Sequence, residues 1–333
     1  DSLGDIEEKD FTDQHLDAVL ALPAVDVEAV RNAHFKVALD AVNSVGGIIM
    51  PRLLERMGVE CICVNCEPTG EFAHNPEPLP ANLTELSDAV KVNNADLGIS
   101  VDPDVDRLAL ICEDGQPFGE EYTLVSVADY LLSRVYNEAL ETGKSMEEIT
   151  APYLMTTSSN LSSSRALRDV TEQYGGDYYA AAVGEVNVTT RMKECGCLIG
   201  GEGNGGVIYP ALHYGRDAMV GVALFLTNLA YKNIKVSELL ATYPKYVIAK
   251  NKIELSDSAL IDRILEEVKS VYASEDINTI DGVKISFEDR KEWVHLRRSN
   301  TEPIIRIYAE AATKEAADAL AQQIIDIAES IIK

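Results

Sequence analysis

Three aspartates at alternate positions form the clearest chemical motif of this chain. Asp102, Asp104 and Asp106 follow the apolar segment 97–101, and Arg107 comes directly after them. Alternate side chains of an extended segment lie on the same side, so the three carboxylates can converge. Packing three anions together costs free energy unless a cation compensates, and hard oxygen ligands favour Mg²⁺ or Ca²⁺. We therefore predict that this acidic loop, residues 102–107, binds a divalent cation.

Other kinds of acidic loop fit these residues less well. An EF-hand also begins Asp-x-Asp-x-Asp, and Glu113 falls at its last ligand position, but Arg107 stands where that loop needs glycine and strands flank the segment. A solvated acidic turn has no reason to lie between two apolar strands. A phosphatase-type Asp-x-Asp loop with a nucleophilic aspartate remains an alternative, although such loops usually continue with Thr or Val where this chain has Asp106.

A glycine-rich segment could bind a polyol. Five of the seven residues from Gly200 to Gly206 are glycine, with Glu202 and Asn204 between them. So many glycines predict a loop without regular structure, which lets the backbone approach a ligand closely. The carboxylate and the amide supply the acceptors and donors that vicinal sugar hydroxyls need. A flexible turn without a ligand is the alternative interpretation.

A cationic turn near the end of the chain could bind phosphate. It reads Arg297-Arg298-Ser299-Asn300-Thr301-Glu302-Pro303, and Arg306 follows. Guanidinium groups, hydroxyls, an amide and backbone N–H groups in one turn are suited to a phosphate. Such a turn is unusual in a chain with 29 Lys and Arg against 55 Asp and Glu, a formal charge of −26. An ordinary surface turn is the alternative.

Composition excludes several classes of partner. A surface this acidic repels nucleic acid and anionic lipid, so neither is expected as a partner. No stretch of about 20 apolar residues and no apolar leader is found, so we expect neither a membrane span nor an export signal. Cys61, Cys63 and Cys66 lack the second ligand pair that a zinc site needs. Their alternation predicts a buried strand, and six cysteines of this kind fit a reducing cytoplasm.

The predicted elements divide the chain into a helical lead-in and three domains. Residues 1–33 form the lead-in, and strands alternate with helices in 34–118 and again in 119–245. This alternation predicts mostly parallel sheets covered on both faces. Consecutive strands between helices predict an antiparallel sheet in 246–333. The expected fold is α/β, with two consecutive three-layer α/β domains followed by a smaller α+β domain.

Taken together, these motifs indicate an enzyme that closes around a sugar phosphate. In order and spacing they resemble the α-D-phosphohexomutase superfamily of phosphoglucomutases, phosphomannomutases and phosphoglucosamine mutases, over about residues 34–333. The resemblance implies Mg²⁺ on Asp102, Asp104 and Asp106, and places Arg107 beside a phosphoserine. It implies that substrate is bound by Glu202, Asn204, Arg216, Arg297, Ser299, Asn300, Thr301 and Arg306. The sequence departs from the family pattern at Asn204 and Gly206, where Ser and His are commoner.

The resemblance also implies a reaction, the interconversion of hexose 1-phosphate and hexose 6-phosphate through a phosphoserine and a bisphosphorylated sugar. Family members carry the serine in a first domain that has no counterpart here, so we expect a fragment that is inactive without that domain in cis. Ala73 replaces the serine in Ala73-His74-Asn75-Pro76, and Ser158 and Ser159 are predicted to be helix caps. A non-catalytic sugar-phosphate-binding module and a dedicated phosphoglucosamine mutase remain alternatives to a broad glucose/mannose enzyme.

Overall fold

A computed structural model describes residues 4, 7–254, 259–299 and 304–332. Contacts between residues divide the chain into two units. The first unit comprises residues 1–131 and 204–241, and the second comprises residues 132–203 and 242–333. None of the helices in the described ranges is long and apolar enough to cross a membrane.

The first unit contains a mixed sheet that positions the acidic loop. Its strands are β1 (Lys36–Asp40), β2 (Glu60–Val64), β3 (Leu97–Val101) and β4 (Leu108–Cys112). They lie in the order β2-β1-β3-β4, with β1 parallel to β2 and β3 and with β4 antiparallel to β3. Every residue of β3 and β4 is buried, as the apolar runs predict. The acidic loop therefore connects two rigid central strands.

Helices pack against this sheet closely. The first unit contains α1 (Thr12–Leu20), α2 (Val27–Ala33), α3 (Gly46–Arg56), α4 (Thr84–Asn93) and the beginning of α5 (Glu120–Thr142). Gly98 of β3 allows α4 to approach, because a Cβ there would lie 2.9 Å from Val90. Farther along the chain the unit contains β8 (Gly206–Ile208), α9 (Ala218–Lys232) and α10 (Val236–Ala241). The N-terminal helices bury Leu16 and Val30 and contact α9, so the lead-in has partners but no separate core.

The second unit combines parallel and antiparallel strands. The parallel strands are β5 (Leu154–Asn160), β6 (Asp177–Ala181) and β7 (Cys197–Glu202), and β5 lies between the other two. Around them are α6 (Met146–Thr150), α7 (Ala166–Gln173) and α8 (Glu185–Cys195). Parallel strands align their carboxyl ends, so Asn160 and Glu202 end neighbouring strands on the same edge of the sheet.

An antiparallel sheet forms the C-terminal part of the second unit. Its strands β9 (Val247–Glu254), β10 (Asp276–Asn278), β11 (Val283–Phe287), β12 (Glu292–Arg298) and β13 (Ile304–Ala311) have the order β10-β11-β12-β13-β9. Two helices, α11 (Ala259–Val271) and α12 (Lys314–Ile332), pack against one face of the sheet. Together they form one apolar core. The predicted α/β class with a final antiparallel α+β domain is confirmed.

Three predictions about local structure were wrong. Gly200, Gly201 and Glu202 end strand β7 and do not belong to an irregular loop. Ser158 and Ser159 lie fully buried within β5, so neither caps a helix.

The third wrong prediction concerns the cysteines of β2. The strand was expected to be buried, but it lies at the edge of its sheet, where only β1 pairs with it. Cys63 is therefore exposed and Cys61 is half-buried. A strand at the edge of a sheet has a neighbouring strand on one side only, so its side chains are less enclosed than those of a central strand.

Candidate functional site

The acidic loop brings its three carboxylates together. Oxygen atoms of Asp102, Asp104 and Asp106 all lie within 4.8 Å of one another. Asp102 is buried, and its Oδ1 accepts hydrogen bonds of 3.0 Å from the backbone N–H groups of Asp106 and Arg107. These bonds fix the position of the Asp102 carboxylate within the loop. The loop therefore has the shape and the donor set of a site for a hard divalent cation.

The electrostatics of the loop favour a cation. Burial, together with the adjacent Asp102 carboxylate, raises the pKa of Asp106 to about 7, against the opposing effect of Arg216. Asp106 Oδ1 is buried and has no hydrogen bond within the described ranges. Arg107 Nε lies 3.7 Å from it, an ion-pair distance only. A buried acceptor without a donor is costly, so the residues present fit a bound metal ion.

Two arginines flank the acidic loop. Arg107 Nε lies 3.4 Å from Asp102 Oδ2, and the Arg216 guanidinium forms an ion pair with Asp106 Oδ2. The Arg216 side chain also packs against Gly206, where a Cβ would lie 2.4 Å from its Cδ. A larger residue at Gly206 would displace Arg216. This contact is a physical reason for glycine at a position where the related family more often has histidine.

The glycine-rich segment contacts the acidic loop through the backbone. Gly205 accepts a 3.0 Å hydrogen bond from the N–H of Leu108, the first residue of β4. Gly205 has φ +87°, and a Cβ there would lie 2.3 Å from the Leu108 carbonyl oxygen. Asn204 Oδ1 accepts a 3.2 Å hydrogen bond from the Gly206 N–H, which fixes the turn. Asn204 thus shapes its own turn, and its amide nitrogen is the group that it can offer to a substrate.

Ser44 supports the acidic loop and was missed in the sequence. Its hydroxyl donates a 2.8 Å hydrogen bond to the Pro103 carbonyl oxygen. Ser44 follows β1, and only the parallel pairing of β1 with β3 shows that the two carboxyl ends meet. His74, from the segment in which Ala73 replaces the family's serine, lies 3.1 Å from the buried Asp40 carboxylate at the end of β1.

In the second unit, Glu202 is held by a buried hydrogen-bond network. Asn160 Nδ2 donates a 2.9 Å hydrogen bond to Glu202 Oε1. Asn160 Oδ1 accepts bonds from the Ser162 N–H and the Ser163 hydroxyl, and Ser163 Oγ accepts one from the Gly203 N–H. Asn160 is therefore a positioning residue that the motif analysis overlooked. Only the pairing of β5 with β7 places Asn160 beside Glu202, so local sequence patterns could not show this role.

The predicted phosphate turn connects β12 and β13 and includes a row of cations. Arg297 of β12 lies directly opposite Arg306 of β13, which lies opposite Lys252 of β9. Residues opposite one another in a sheet share a face, and like charges there are destabilising unless an anion compensates. Lys252 has an exposed partner, Glu254 at 3.1 Å. Arg297 Nε is buried without a hydrogen bond in the part of the chain that the structure describes. We call these three residues the cation row. Lys252 was missed, because only strand register places it there.

Ser299 closes the described part of the turn. It is buried, and its N–H donates a 3.0 Å hydrogen bond to the Ile304 carbonyl oxygen. Asn300 and Thr301, which were predicted to bind phosphate, lie outside the described residues. The structure therefore places Arg297, Ser299 and Arg306 in the described segments on either side of this turn.

One strand links the cation row to the Glu202 network. His295 precedes Arg297 by two residues on β12, so both side chains lie on the same face. The Asp281 carbonyl oxygen, 2.7 Å from His295 Nε2, can only accept, so Nε2 carries the proton. Nδ1 then accepts the 2.9 Å hydrogen bond of the Ser162 hydroxyl. Burial first, and then the nearby Lys284 and Arg297, lower the pKa of His295 to about 4. His295 is thus a buried neutral group.

Three family models match the chain in sequence order. They describe the α/β/α domain II, the α/β/α domain III and the C-terminal domain of phosphoglucomutase/phosphomannomutase. The matched residues are 13–115, 124–246 and 250–327.

Relatives of known name match nearly the whole chain. A phosphoglucomutase/phosphomannomutase from Thermococcus kodakarensis is 34% identical, with 99% of this chain and 68% of the relative covered. A probable phosphoglucosamine mutase from Methanopyrus kandleri is 31% identical, with 97% of this chain and 66% of the relative covered. This chain thus spans about two thirds of the length of the relatives that it matches.

Solved structures share the fold. A phosphoglucomutase/phosphomannomutase family protein from Burkholderia thailandensis superposes with a TM-score of 0.81 at 24% identity, covering 98% of this chain and 65% of that chain. N-acetylphosphoglucosamine mutase from Aspergillus fumigatus, in complex with GlcNAc-6P and magnesium, superposes with a TM-score of 0.64 at 16% identity. The superposition covers 96% of this chain and 64% of that chain. At these identities the likeness is one of fold.

Proposed function

This chain belongs to the phosphoglucomutase/phosphomannomutase family, and we propose that it forms the metal-, sugar- and phosphate-binding part of a phosphohexomutase. The reaction would interconvert hexose 1-phosphates and hexose 6-phosphates. The observation that carries the proposal is the cation row of Lys252, Arg306 and Arg297. In a chain of formal charge −26, two arginines lie opposite one another on one sheet face, and Arg297 Nε is buried without a hydrogen bond among the described residues, which favours an anionic ligand.

Each group of residues would have a separate task. Arg297, Ser299, Asn300, Thr301 and Arg306 would hold the phosphate that is not transferred. Charge-assisted hydrogen bonds from arginine are among the strongest that a protein offers to phosphate. Glu202, held in place by Asn160, would accept hydrogen bonds from the sugar hydroxyls, and the amide of Asn204 would donate one.

The acidic loop would serve the transferred phosphoryl group. Asp102, Asp104 and Asp106 would hold Mg²⁺, which when bound neutralises negative charge on that group. Arg107 would contribute a second positive charge beside it, and Arg216 would keep Asp106 oriented through their ion pair. Fixed charges that need no rearrangement during the reaction supply most of the rate enhancement in phosphoryl transfer.

The phosphoryl group itself would come from a serine that these domains do not supply. That phosphoserine would pass its phosphoryl group to a free sugar hydroxyl and give a bisphosphate, and the serine oxygen would then recover the other phosphoryl group. Ala73 has no hydroxyl, and Ser158 and Ser159 are fully buried in β5. We propose that a further domain in cis provides the serine, and that this chain alone binds hexose phosphate without converting it. The functional domains would be 34–118, 119–245 and 246–333.

The proposed substrates are glucose and mannose phosphates, with glucosamine phosphate as the second candidate. The second candidate rests on the Methanopyrus kandleri relative, which is named a probable phosphoglucosamine mutase. The compartment that we propose is the cytoplasm, since all six cysteines are free thiols.

Calorimetric titration tests the proposal. Glucose, mannose and glucosamine 1-phosphates would be titrated into the chain with and without Mg²⁺, beside free glucose and inorganic phosphate. We expect at least one hexose phosphate to bind more tightly than free glucose and more tightly than inorganic phosphate. The ranking of the three affinities gives the preferred sugar. Product analysis of the same mixtures should find no 6-phosphate. No preference over inorganic phosphate would contradict sugar-phosphate binding, and conversion would contradict the missing nucleophile.

A further inference from the structure

A second cluster of potential metal ligands lies in the first unit, apart from the acidic loop. His15 of α1, His213, and Asp217 at the beginning of α9 each offer one ligand atom, and these atoms lie within 4.8 Å of one another. His15 Nε2 lies 2.8 Å and His213 Nε2 lies 3.0 Å from the same oxygen, Asp217 Oδ2. The family resemblance gives no task to His15 or His213.

The carboxylate is oriented by the backbone. Asp217 Oδ1 accepts hydrogen bonds of 2.8 Å from the Met219 N–H and 3.2 Å from the Val220 N–H, so it caps α9. With one oxygen held in this way, Oδ2 is fixed toward the two imidazoles. The Asp217 side chain is only 4% exposed, whereas those of His15 and His213 are 31% and 42% exposed. The cluster thus has a rigid buried anion at its base and an open side.

The chemistry of this donor set differs from that of the acidic loop. We propose that His15, His213 and Asp217 bind a borderline transition-metal ion, Zn²⁺ or a close analogue such as Co²⁺. Two imidazoles and one carboxylate are ligands that suit such ions, whereas Mg²⁺ prefers oxygen alone. With metal–ligand distances of roughly 2.0–2.1 Å, tetrahedral ligand atoms lie about 3.3 Å apart. To reach that spacing from Asp217 Oδ2, each nitrogen would move back by a few tenths of an ångström, and water would complete the coordination.

A metal ion here would connect two distant parts of the chain. His15 belongs to the N-terminal helix, while His213 and Asp217 begin the segment that leads into α9. Asp217 follows Arg216, whose guanidinium pairs with Asp106 of the acidic loop. The ion would fasten α1 to the first turn of α9 and hold the residue next to Arg216. Its expected role is structural.

The test is Zn²⁺ titration of the whole chain with Mg²⁺ in excess, which occupies the acidic loop. Cys61, Cys63 and Cys66 are changed to serine in every protein, because exposed thiols bind zinc independently. The informative variants are His15→Gln and His213→Gln. A glutamine amide can still donate a hydrogen bond to Asp217 but is a poor zinc ligand, so these variants separate metal binding from hydrogen bonding. His34→Asn, at an exposed histidine with a left-handed backbone that Asn tolerates, is the matched control.

We expect one equivalent of Zn²⁺ to bind the parent protein and the His34→Asn control. In either glutamine variant, the affinity for that Zn²⁺ ion should fall by at least about tenfold. Zn²⁺ should also raise the thermal midpoint of the parent but not of the double variant His15→Gln/His213→Gln, since a ligand stabilises only the state that binds it. Equal zinc binding by the parent and the double variant, or no binding by either, would overturn the proposal.

Discussion

The side-chain amide of Asn160 donates a 2.9 Å hydrogen bond to the Glu202 carboxylate, with both residues at the carboxyl ends of adjacent parallel strands. Asn160 also accepts two hydrogen bonds from the loop that follows it, so its amide cannot rotate without losing them. Glu202 is therefore presented in one orientation before any ligand arrives. In the proposed function, a preorganised acceptor of this kind would distinguish a sugar from a bare phosphate.

Replacing Asn160 tests that relationship. Asn160→Ala removes the donor from Glu202 and leaves a buried carboxylate oxygen without it, a loss worth roughly 1–3 kcal/mol. We expect hexose phosphate to bind about tenfold more weakly by calorimetry, and inorganic phosphate to bind as before. Equal weakening of both ligands would mean that the substitution disturbs the whole unit, and would contradict a specific role in sugar binding.

Asp104 offers a clean test of the acidic loop, because its side chain is exposed and its removal has little effect on packing. Asp104→Asn removes one anionic ligand, so Mg²⁺ affinity should fall at least about tenfold, by titration in the absence of sugar. Asp114→Asn, at an exposed carboxylate in the turn after β4, should leave the Mg²⁺ affinity unchanged.

The same loop distinguishes the proposed mutase function from that of a phosphatase. Asp102 Oδ1 is engaged by two backbone N–H groups, as expected for a ligand held in place. We expect no Asp102-dependent release of inorganic phosphate from hexose phosphates. Hydrolysis by the parent chain that disappears in Asp102→Asn, with the fold intact, would favour the nucleophilic-aspartate alternative.

The cation row predicts a contribution from Lys252. Lys252→Ala should weaken binding of hexose phosphate and of inorganic phosphate by about threefold, since an exposed charge contributes up to about 1 kcal/mol. High salt should reduce the difference in affinity between the parent and Lys252→Ala. Lys250→Ala changes a lysine on the same face that lies 5.8 Å above the Tyr308 ring, and it serves as the control. The same loss in both variants would mean that net charge, and not the row, determines affinity.

His295 predicts a pH-dependent stability. Burial lowers its pKa from 6.5 to about 4, so the folded state resists a proton that the unfolded state accepts. The contribution of this group to the free energy of unfolding is fully present above pH 6.5. It falls by about 3 kcal/mol as the pH falls from 6.5 to 4. Urea unfolding from pH 7 to pH 4 should show a steeper loss for the parent than for His295→Gln. Parallel profiles would contradict a neutral buried imidazole.

Sequence patterns predicted the elements around the acidic loop well. Strands Leu97–Val101 and Leu108–Cys112 agree with the structure, because their continuous apolar runs match their burial on both faces. Local spacing was also enough to bring Asp102, Asp104 and Asp106 together.

Residues whose role depends on strand register were missed. Asn160 meets Glu202 only because β5 pairs with β7, and Lys252 joins the two arginines only because β9 pairs with β13. Asn160 and Glu202 are 42 residues apart and Lys252 and Arg306 are 54 apart, beyond the range of any periodicity. Glycine content likewise misplaced Glu202 in a loop, since tertiary pairing with β5 overrode the weak strand propensity of glycine.

Adjacent arginines on β12 give the most direct test of the central claim that this chain binds a sugar phosphate on the cation row. Arg297 lies in the row, while Arg298 pairs with Asp262 at 3.2 Å, so the two differ in position but not in type. Calorimetric titration of the preferred hexose 1-phosphate should show a loss of roughly 1.5–3 kcal/mol for Arg297→Ala, about tenfold to a hundredfold in Kd, and little change for Arg298→Ala. Unchanged binding in Arg297→Ala, or equal losses in both variants, would contradict the claim.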